Sequence, residues 1–503
     1  MKSKTQKRPR LSLILNGIVN LPQQQDCEVS GITSNSKEVS EGVIFVALSG
    51  IRHHGAEFIP EAIAAGAVAV LCEQSDALSE LSSYAVPVIV IDDLSHQLGW
   101  IASSFYDHPS RAMTLVGVTG TNGKTTCTQL LAQVLSNKHP CGVIGTLGYG
   151  LYGQLAQGGY TTPNAIEIHR ILADLRDAGA THVVMEVSSH GLDQGRVEGV
   201  VFDIALFTNL SRDHLDYHGD MQRYGRAKQR LFVMPGLKYA VINTDDAFGR
   251  ALLRDLTGYI GLSAYSLELT SGLPENPLIS GSELKLTRNG LQMSVRDPGG
   301  SVTIKSALLG RFNAANLLAI YGVLLWLGLP RNLIAARIGK CVAVPGRMEC
   351  FTHPGLPLVV VDYAHTPDAL EQALEALREH CDGKLWCLFG CGGDRDSGKR
   401  PLMGAIAECH ADQVILTNDN PRDEDAARII VDILGGIQQK ERIKVVADRA
   451  EAISYAIDSV SADDVILIAG KGHEDYQIVA GETVAFSDGQ QVIEQLAARQ
   501  GQA

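Results

Sequence analysis

The chain has 503 residues, of which 45% are hydrophobic and 20% are charged, a composition typical of a globular protein with buried cores. Its formal net charge of −13 excludes nucleic acid as the main partner, because phosphate backbones are bound by basic surfaces. The sequence contains no run of about 18 apolar residues, so no segment is expected to span a membrane. The length predicts about three domains.

The first predicted domain covers residues 1–109 and contains short strands at 42–48, 68–71 and 88–91. It starts with a basic segment and an apolar run, residues 11–15, which together resemble a signal peptide. The apolar run ends at Asn16 and no small-residue cleavage site follows, so we interpret it as a basic tail before a short amphipathic helix. The ten cysteines are scattered without CxxC spacing, which favours reduced thiols and a cytoplasmic protein.

Residues 116–126 form the most informative motif of the chain, because an apolar run ends there at a glycine-rich turn before a predicted helix at 127–135. Gly120 and Gly123 permit a tight loop whose N–H groups point at anionic oxygens. The helix that follows adds the positive end of its dipole. This arrangement predicts a binding site for a nucleoside triphosphate.

Two side chains extend the phosphate-binding loop. Lys124 can reach the terminal phosphates, and the Thr125 hydroxyl can ligate a magnesium ion. The general P-loop pattern has a glycine where Val118 stands, so this motif is a variant with its first glycine at Gly120. The alternative interpretation is a glycine-rich turn from strand to helix that a lysine follows by chance.

The second predicted domain, residues 110–344, alternates strands and helices after the P-loop, which predicts a mostly parallel sheet covered by helices. Residues 105–111 are predicted to link it to the first domain. Antiparallel strands are expected over 279–295 and 302–309, followed by a helix at 313–327. The alternating elements before them are predicted at 141–145, 164–178, 181–187, 204–209 and 239–243.

The third predicted domain, residues 345–503, begins near Pro345 and returns to a Rossmann-like alternation of strands and helices. Its predicted strands run into loops rich in glycine, aspartate or asparagine, where open α/β sheets place their binding sites. The predicted strands are 358–361, 385–389, 413–417 and 464–468.

Three polar residues of the second domain are candidates for phosphate chemistry. Glu186 ends a predicted buried strand, where P-loop enzymes place a carboxylate for magnesium or water, and a solvated acid is the alternative. The polar loop that continues to Arg196 favours the functional interpretation. His214 can bind a divalent ion as neutral imidazole, although a structural histidine is equally compatible with the pattern. Lys228 is predicted from composition alone to be a solvated helix lysine.

Three loops of the third domain carry Arg395, Arg422 and Glu474 at neighbouring strand ends. Two guanidinium groups and a carboxylate suit an amino acid, because arginine pairs with carboxylates and glutamate with an ammonium group. Charged loops that only face solvent are the alternative.

Taken together, the motifs resemble those of the Mur ligases, the ATP-dependent amide-forming enzymes of peptidoglycan synthesis. The resemblance extends over nearly the whole chain. It rests on six segments: 120–126 (GTNGKTT), 186–191 (EVSSHG), 209–219 (NLSRDHLDYHG), 313–316 (NAAN), 345–349 (PGRME) and 362–365 (DYAH).

Residues 419–422 (DNPR) match the members of the family that add meso-2,6-diaminopimelate, since Arg422 suits a second carboxylate. The resemblance therefore implies an ATP-dependent ligase that joins this amino acid to the D-glutamate γ-carboxylate of UDP-N-acetylmuramoyl-L-alanyl-D-glutamate through an acyl phosphate. A monomer is expected. Residues 390–401 also match the family, apart from Ser397, where relatives often carry a basic residue.

The resemblance implies a role for each matching residue around the nucleotide. The ATP phosphates would contact Gly120, Thr121, Asn122, Gly123, Lys124, Thr125 and Thr126. The rest of the nucleotide would contact Asn316, Arg347 and Asp362. Magnesium ions would be bound by Thr125, Glu186, His214 and Lys228, the lysine as a carbamate formed with carbon dioxide.

The same resemblance implies contacts with both substrates. The UDP-linked dipeptide would contact Ser34, Ser36, Ile51, Arg52, His53, Thr161, Thr162, Ser188, Gln194 and Arg196. Diaminopimelate would contact Arg395, Asp419, Asn420, Pro421, Arg422, Gly470 and Glu474. Asn35 and Lys37 stand where the family commonly has aspartate and arginine, which affects the expected binding of the uracil end.

Two kinds of alternative function remain open at this point. One is another ligase of the superfamily, either a lysine-adding enzyme or a folylpolyglutamate-type synthase. The other is a nucleotide-binding switch or scaffold without ligase activity. The joint presence of Lys124, Glu186, His214, Lys228 and Arg422 argues against the second.

Overall fold

The structure is a computed structural model that describes residues 8–48, 54–74, 84–137, 139–268 and 277–501. The chain divides into two compact units, residues 1–263 and 264–503. Strands and helices alternate through both units, which confirms the predicted α/β fold. Within the described ranges, every helix is too short or too polar to cross a bilayer.

The first unit contains nine helices and eleven complete strands among its described residues. The helices are α1 (Leu11–Ile14), α2 (Ile59–Ala64), α3 (Leu94–Phe105), α4 (Lys124–Leu135), α5 (Ala165–Asp177), α6 (Ser189–Asp193), α7 (Leu215–His218), α8 (Met221–Gln229) and α9 (Ala247–Leu256). The strands are β1 (Gly31–Thr33), β2 (Val43–Ala47), β3 (Ala69–Cys72), β4 (Val88–Val90), β5 (Thr114–Thr119), β6 (Cys141–Gly145), β7 (Gly148–Leu151), β8 (Gln154–Ala156), β9 (His182–Glu186), β10 (Ile204–Phe207) and β11 (Tyr239–Asn243).

Two sheets organise the first unit. Strands β1 to β4 pair in chain order and are all parallel. In the other sheet, β11, β10, β5, β9 and β6 are parallel neighbours in that order, and β7 and β8 extend the edge as an antiparallel meander. Because β5 lies between β10 and β9, the P-loop that follows it is at the centre of the parallel part of the sheet.

Local sequence signals explain where the helices of this unit begin. Asn164 accepts a hydrogen bond from the backbone N–H of Glu167, so α5 starts with a side-chain cap. Asp220 caps α8 in the same way through the N–H of Arg223. Five of the six residues of β5 are buried, as expected for a central parallel strand that is apolar on both faces.

The second unit starts within a strand, β12 (Gly261–Ser266), that crosses the division between the units. Its helices are α10 (Arg311–Trp326), α11 (Arg331–Ile338), α12 (Pro367–Arg378), α13 (Lys399–His410), α14 (Ala426–Leu434), α15 (Arg449–Ser459) and α16 (Asp488–Gln500). Its other strands are β13 (Leu278–Thr287), β14 (Gly290–Asp297), β15 (Gly300–Ser306), β16 (Glu349–Phe351), β17 (Leu358–Asp362), β18 (Leu385–Phe389), β19 (Gln413–Leu416), β20 (Lys444–Val445), β21 (Val465–Ala469), β22 (Tyr476–Val479) and β23 (Glu482–Ala485).

The main sheet of the second unit has the order β16-β17-β21-β18-β19-β20 and is parallel except for β16. Alternate residues of its strands belong to two separate cores. In β21, Leu467 faces a core shared with α12 and α13, whereas Ile466 and Ile468 face a core shared with α15 and α16. Helices therefore cover both faces of the sheet, which leaves the loops at the strand ends available for binding.

Most predicted elements are present within a few residues. The region 279–295 is a hairpin of two antiparallel strands, β13 and β14, that turns at Arg288 and Asn289. The short helix α1 confirms the helix expected after the basic segment, and all ten cysteines are free thiols. The division into three domains at 109/110 and 344/345 stays a prediction.

Candidate functional site

The central sheet of the first unit aligns three strand ends beside one another. Val118 of β5 pairs with Glu186 of β9, and Thr119 pairs with Phe207 of β10. The P-loop, Glu186 and the segment that starts at Asn209 therefore emerge at the same edge. Parallel pairing explains how residues more than sixty positions apart in sequence come to form one site.

The P-loop requires glycine at its first position and is held by its own side chains and by Asn209. Gly120 has a φ of 151°, and a Cβ there would collide with the hydroxyl of Thr208, so no other residue fits. Lys124 Nζ donates to the carbonyl oxygens of Gly120 and Thr121 over 2.9 and 2.8 Å. The backbone N–H of Asn122 is held by the side chain of Asn209 over 2.9 Å. The loop is thus organised around its own lysine.

Glu186 is fully buried and is surrounded by hydroxyl and amide donors. Thr125 Oγ1 donates to Oε2 over 2.9 Å, and Thr146 donates through its backbone N–H to Oε1 over 2.8 Å and through its hydroxyl to Oε2 over 3.1 Å. A buried carboxylate beside a hydroxyl is the oxygen donor set that a hard divalent cation prefers. Sequence reasoning missed Thr146, although its position just after β6 was a usable signal.

Lys228 lies inside the protein, not on the surface as its composition alone suggested. It is 1% exposed, and its Nζ donates to the carbonyl oxygen of Gly120 over 2.8 Å. The ring of Tyr224 lies 4.4 Å from Nζ. Loss of solvent lowers the pKa of this lysine well below its ordinary value, and the positive charge of Lys124 lowers it further. Burial therefore favours the neutral amine form of Lys228 next to the P-loop.

His214 directly precedes α7 with a left-handed backbone, φ 53°, and its side chain is 45% exposed. Its ring packs edge-on against His190 at a centroid distance of 4.8 Å, and Nε2 lies 3.4 Å from Oδ2 of Asp213. Burial lowers the pKa of His214 despite the nearby carboxylate of Asp213. A neutral imidazole is the form that ligates metals.

The residues expected at the muramyl-peptide end form one hydrogen-bonded network with Glu186. Thr162 Oγ1 donates to the backbone carbonyl of Glu186 over 3.0 Å and accepts from the N–H of Ser188 over 3.0 Å. The hydroxyls of Thr161 and Thr146 lie 3.0 Å apart, and Thr146 itself binds the Glu186 carboxylate. The structure therefore brings these predicted binding residues next to the predicted metal ligands.

Arg196 and Gln194 continue this network toward solvent. Arg196 Nη1 donates to the carbonyl of Thr162 over 2.8 Å, and its Nε and Nη2 both donate to Gln194 Oε1, over 2.9 and 2.6 Å. The guanidinium carbon also lies 5.5 Å from the ring centroid of Tyr160, which is 68% exposed. Tyr160 was not predicted, because nothing in the sequence distinguishes it from other loop aromatics.

The predicted uracil-end residues of the first sheet are only partly described. Ser34 is exposed and follows β1, and Ser36 begins a single 3-10 turn. Asn35 caps that turn, since its Oδ1 accepts from the N–H of Lys37 over 3.2 Å. The remaining predicted contacts lie outside the described residues: Ile51, Arg52 and His53.

In the second unit, the predicted nucleotide residues Arg347 and Asp362 lie near β17, whereas Asn316 lies in α10. Arg347 stacks on Tyr363, with its guanidinium carbon 4.5 Å from the ring centroid. Asp362, at the end of β17, accepts from the N–H of Met348 over 2.8 Å. Burial raises the pKa of Asp362, opposed by the charge of Arg347. Asn316 is buried in α10 and donates to Asn313 Oδ1 over 3.1 Å.

The loops after β19 and β21 bring together the acidic and basic residues expected to bind an amino acid. Arg422 has a left-handed backbone, φ 55°, and its Nη1 donates to the carbonyl of Gly393 over 2.7 Å. Asp419 is buried, which raises its pKa. A Cβ on Gly470, whose φ is 115°, would lie only 2.5 Å from Oδ2 of Asp419. Glycine is therefore needed where these two loops approach each other.

Asn420 and Glu474 are joined directly, since Asn420 Nδ2 donates to Glu474 Oε2 over 2.8 Å. Sequence reasoning overlooked Lys471, which is fully buried and donates to both of these side chains. Its signal was available as a lysine enclosed by glycines directly after an apolar strand. Pro421 is buried, and Arg395 is exposed in the loop after β18.

Three family models match successive parts of the chain. The catalytic domain of the Mur ligase family matches residues 28–106, the Mur ligase middle domain matches residues 118–324, and the Mur ligase glutamate ligase domain matches residues 346–472.

Curated relatives match nearly the full length. The protein named UDP-N-acetylmuramoyl-L-alanyl-D-glutamate--2,6-diaminopimelate ligase in Coxiella burnetii is 46% identical over 466 residues, which cover 92% of this chain and 94% of that protein. Relatives of the same name from Xanthomonas campestris and Pseudomonas aeruginosa are 49% and 48% identical. They cover 95% and 94% of this chain, and 96% of their own length in each case.

Solved structures agree with these matches. A structure of a protein with the same name is 35% identical, with a TM-score of 0.74, and the match covers 98% of this chain and 99% of the other. The MurF ligase from Thermotoga maritima in complex with ADP has a TM-score of 0.61 at 21% identity, with 94% and 99% covered. At that identity the second likeness shows the fold alone.

Proposed function

The chain belongs to the Mur ligase family, and we propose that it is the ATP-dependent ligase that adds meso-2,6-diaminopimelate to UDP-N-acetylmuramoyl-L-alanyl-D-glutamate in peptidoglycan synthesis. The observation that carries the proposal in the structure is the joint presence of Lys124, Thr125, Glu186 and Lys228 around one loop. The relatives of nearly equal length that bear this ligase name support the choice of substrates.

The reaction needs activation because a carboxylate is a poor electrophile. In the proposed mechanism the D-glutamate γ-carboxylate attacks the γ-phosphorus of ATP, which releases ADP and leaves an acyl phosphate. The amine of diaminopimelate then attacks the acyl carbon, and the tetrahedral intermediate expels phosphate while the amine loses a proton. The P-loop amides and Lys124 stabilise the charge that develops on the transferring phosphoryl group.

The oxygen donors of Thr125 and Glu186 fit a magnesium ion, and His214 and Lys228 as a carbamate would hold a second one. Bound magnesium neutralises the phosphate oxygens and orients the nucleotide. The low pKa of Lys228 supports the carbamate, because only a neutral amine attacks carbon dioxide. The carbamate would turn this buried amine into an anion, which would add a negative charge that attracts metal ions beside the P-loop.

Each substrate has a proposed set of contacts in one of the units. The muramyl-peptide end would lie along Thr161, Thr162, Ser188, Gln194 and Arg196, which already share hydrogen bonds. The uridine end would contact Ser34 and Ser36 together with residues 51–53. The distal carboxylate of diaminopimelate would pair with Arg422, and an ammonium group with Glu474. Further proposed contacts of the amino acid are Arg395, Asp419, Asn420, Pro421 and Gly470.

Three further features belong to the proposal. The chain would consist of a UDP-substrate domain (1–109), an ATP-binding domain (110–344) and an amino-acid-binding domain (345–503), a division supported by the separate spans of the three family models. The enzyme would act in the cytoplasm, as ten free thiols and the use of ATP suggest. It would act as a monomer.

The decisive experiment incubates the purified full-length protein with the UDP-linked dipeptide, ATP, magnesium and either meso-diaminopimelate or L-lysine. We expect the diaminopimelate amide by mass spectrometry, with one ADP and one phosphate released per amide. Substrate labelled with ¹⁸O in the γ-carboxylate should transfer one labelled oxygen to the released phosphate. Faster turnover with lysine would identify a lysine-adding enzyme, and nucleotide binding without product would support the scaffold alternative.

A further inference from the structure

One buried cation of the second unit has no role in the reaction described so far. Lys471 follows β21 and is fully buried, although lysine is rarely buried without partners. Its Nζ donates to Asn420 Oδ1 over 3.0 Å and to Glu474 Oε2 over 3.1 Å, and lies 5.5 Å from the ring centroid of Tyr476. Both hydrogen-bond acceptors belong to residues expected to bind the incoming amino acid.

The side chains of Lys471, Asn420 and Glu474 are each hydrogen-bonded to the other two. Asn420 Nδ2 donates to the same oxygen, Oε2 of Glu474, over 2.8 Å, so one carboxylate oxygen accepts two hydrogen bonds. The other oxygen, Oε1, has no hydrogen-bond partner among the residues that the structure describes. Asn420 Oδ1 accepts from the backbone N–H of Ile478 over 3.0 Å, so Asn420 itself is held in orientation. The carboxylate of Glu474 is therefore fixed on one side and open on the other.

We propose that Lys471 is a positioning residue for amino-acid recognition: it binds one oxygen of Glu474 so that the other is presented to an ammonium group of the substrate. The inference rests on the proposed function, because it assumes that Glu474 receives the amino acid. It goes beyond that function because it gives a role in recognition of the amino acid to a side chain that does not itself contact the substrate.

Charge supports this role over a purely structural one. Asp419 is also buried and adjoins Glu474, and the positive charge of Lys471 partly offsets the burial that raises the pKa of Asp419. Without Lys471, Glu474 would keep only its hydrogen bond from Asn420, and the neighbouring carboxyl groups of Asp419 and Glu474 would lose a positive charge beside them. A buried hydrogen bond to a charged group contributes more than a neutral one, so its loss should be measurable in binding.

The test compares three variants of the full-length enzyme: Lys471→Met, Glu474→Gln and the double variant. We expect Lys471→Met to raise the KM for diaminopimelate by about 10-fold or more, while the KM values for ATP and for the UDP-linked dipeptide change by less than about 2-fold. Because Lys471 acts through Glu474, the double variant should bind the amino acid no worse than Glu474→Gln alone. Lys444→Met is the matched control, since Lys444 lies 5.0 Å from the ring of Tyr455 at an exposed position.

Each outcome decides the inference. Equal losses for all three substrates, or additive losses in the double variant, would overturn it. KM does not depend on the folded fraction, so a partly folded preparation is still informative. If Lys471→Met does not fold, Lys471→Gln, which also removes the positive charge, is measured in the same way, and failure of both to fold overturns the proposal by assigning the lysine to stability. Absence of turnover in the unsubstituted enzyme would instead refute the proposed function.

Discussion

Lys228 Nζ donates a hydrogen bond of 2.8 Å to the carbonyl oxygen of Gly120, across 108 residues of sequence. The contact places a buried amine against the first glycine of the P-loop. Because burial lowers the pKa of Lys228, the neutral amine is available at a lower pH than in an exposed lysine. The contact and the direction of this pKa shift support the proposed reaction of Lys228 with carbon dioxide.

We therefore predict that activity depends on carbon dioxide through Lys228. Removing bicarbonate should lower the turnover of the unsubstituted enzyme, and adding it back should restore it. Lys228→Met should lower kcat by at least about 100-fold, because the charge near the transferring phosphoryl group is lost. Protein equilibrated with ¹³C-bicarbonate should show a carbamate signal by NMR that is absent from Lys228→Met. A signal that persists in the variant would contradict the assignment.

Thr125 and Thr146 both bind Glu186, but only Thr125 is proposed to contact magnesium as well. Thr125→Val should raise the magnesium concentration for half-maximal activity by about 10-fold or more, and Thr146→Val, which acts only through Glu186, should raise it less. Chelation of divalent ions should abolish turnover of both variants and of the unsubstituted enzyme. A larger effect of Thr146→Val would show that the two roles are reversed.

Arg422 is predicted to select diaminopimelate by its second carboxylate. Its guanidinium group is held by the carbonyl of Gly393, so it is already oriented before the amino acid binds. Arg422→Ala should lower kcat/KM for diaminopimelate by about 100-fold, while the much lower activity with L-lysine should change little. Arg428→Ala removes an exposed arginine of α14 and is the control. Equal losses with both amino acids would contradict a role in selectivity.

Arg449 and Asp488 form a fully buried ion pair with two hydrogen bonds of 2.7 Å. Arg449 also donates to the carbonyl oxygens of Ala469 and Asn418, which precede the two loops proposed to bind the amino acid. Asp488→Asn should lower the free energy of unfolding by about 3–5 kcal/mol, because the guanidinium group would be buried without its counter-charge.

The control for this prediction is Asp174→Asn. Asp174 pairs with Arg170 on the surface of α5, with both side chains largely exposed, so its loss should cost no more than about 1 kcal/mol. Urea unfolding of both variants measures the difference. Similar small losses in the two variants would show that the buried ion pair contributes no more to the free energy of unfolding than the exposed pair does.

His169 is predicted to make stability depend on pH. Burial lowers its pKa from 6.5 to about 4, while Nε2 is hydrogen-bonded to the carbonyl of Glu198 over 3.1 Å. As the pH falls from 6.5 toward 4, His169 is protonated in the unfolded chain but stays neutral in the folded protein. The free energy of unfolding therefore decreases. The loss approaches about 3 kcal/mol at the low end. At neutral pH both states are uncharged and the effect disappears.

His169→Gln keeps a side-chain donor that does not titrate in this range. It should therefore lose less stability than the unsubstituted protein between pH 7 and pH 4.5, with all other titrating groups in common. Unfolding free energies measured by urea at the two pH values provide the comparison. Equal losses of unfolding free energy in the variant and the unsubstituted protein would contradict this, because His169 would then be protonated over the same pH range in the folded and unfolded states.

The candidate site could be predicted only in part from residue types. The proposed phosphate-binding loop could be predicted from a short local motif, because Gly120, Gly123 and Lys124 lie within a single turn and the start of the helix after it. The burial of Lys228 and Lys471 could not be predicted, although the glycines on either side of Lys471 were a local sign that its loop is special. Their burial arises from packing against distant segments, which sequence periodicity does not encode.

Local sequence by itself determined the α/β alternation, the P-loop, the caps of α5 and α8 and the types of residue at the strand ends, because hydrophobic period, glycine and capping act over a few residues. Tertiary structure alone decided which of these residues meet. Parallel pairing of β5 with β9 and β10 brings Glu186 and Asn209 to the P-loop, and loop packing brings Lys471 to Glu474. Those contacts depend on strand order and burial, which are properties of the whole chain.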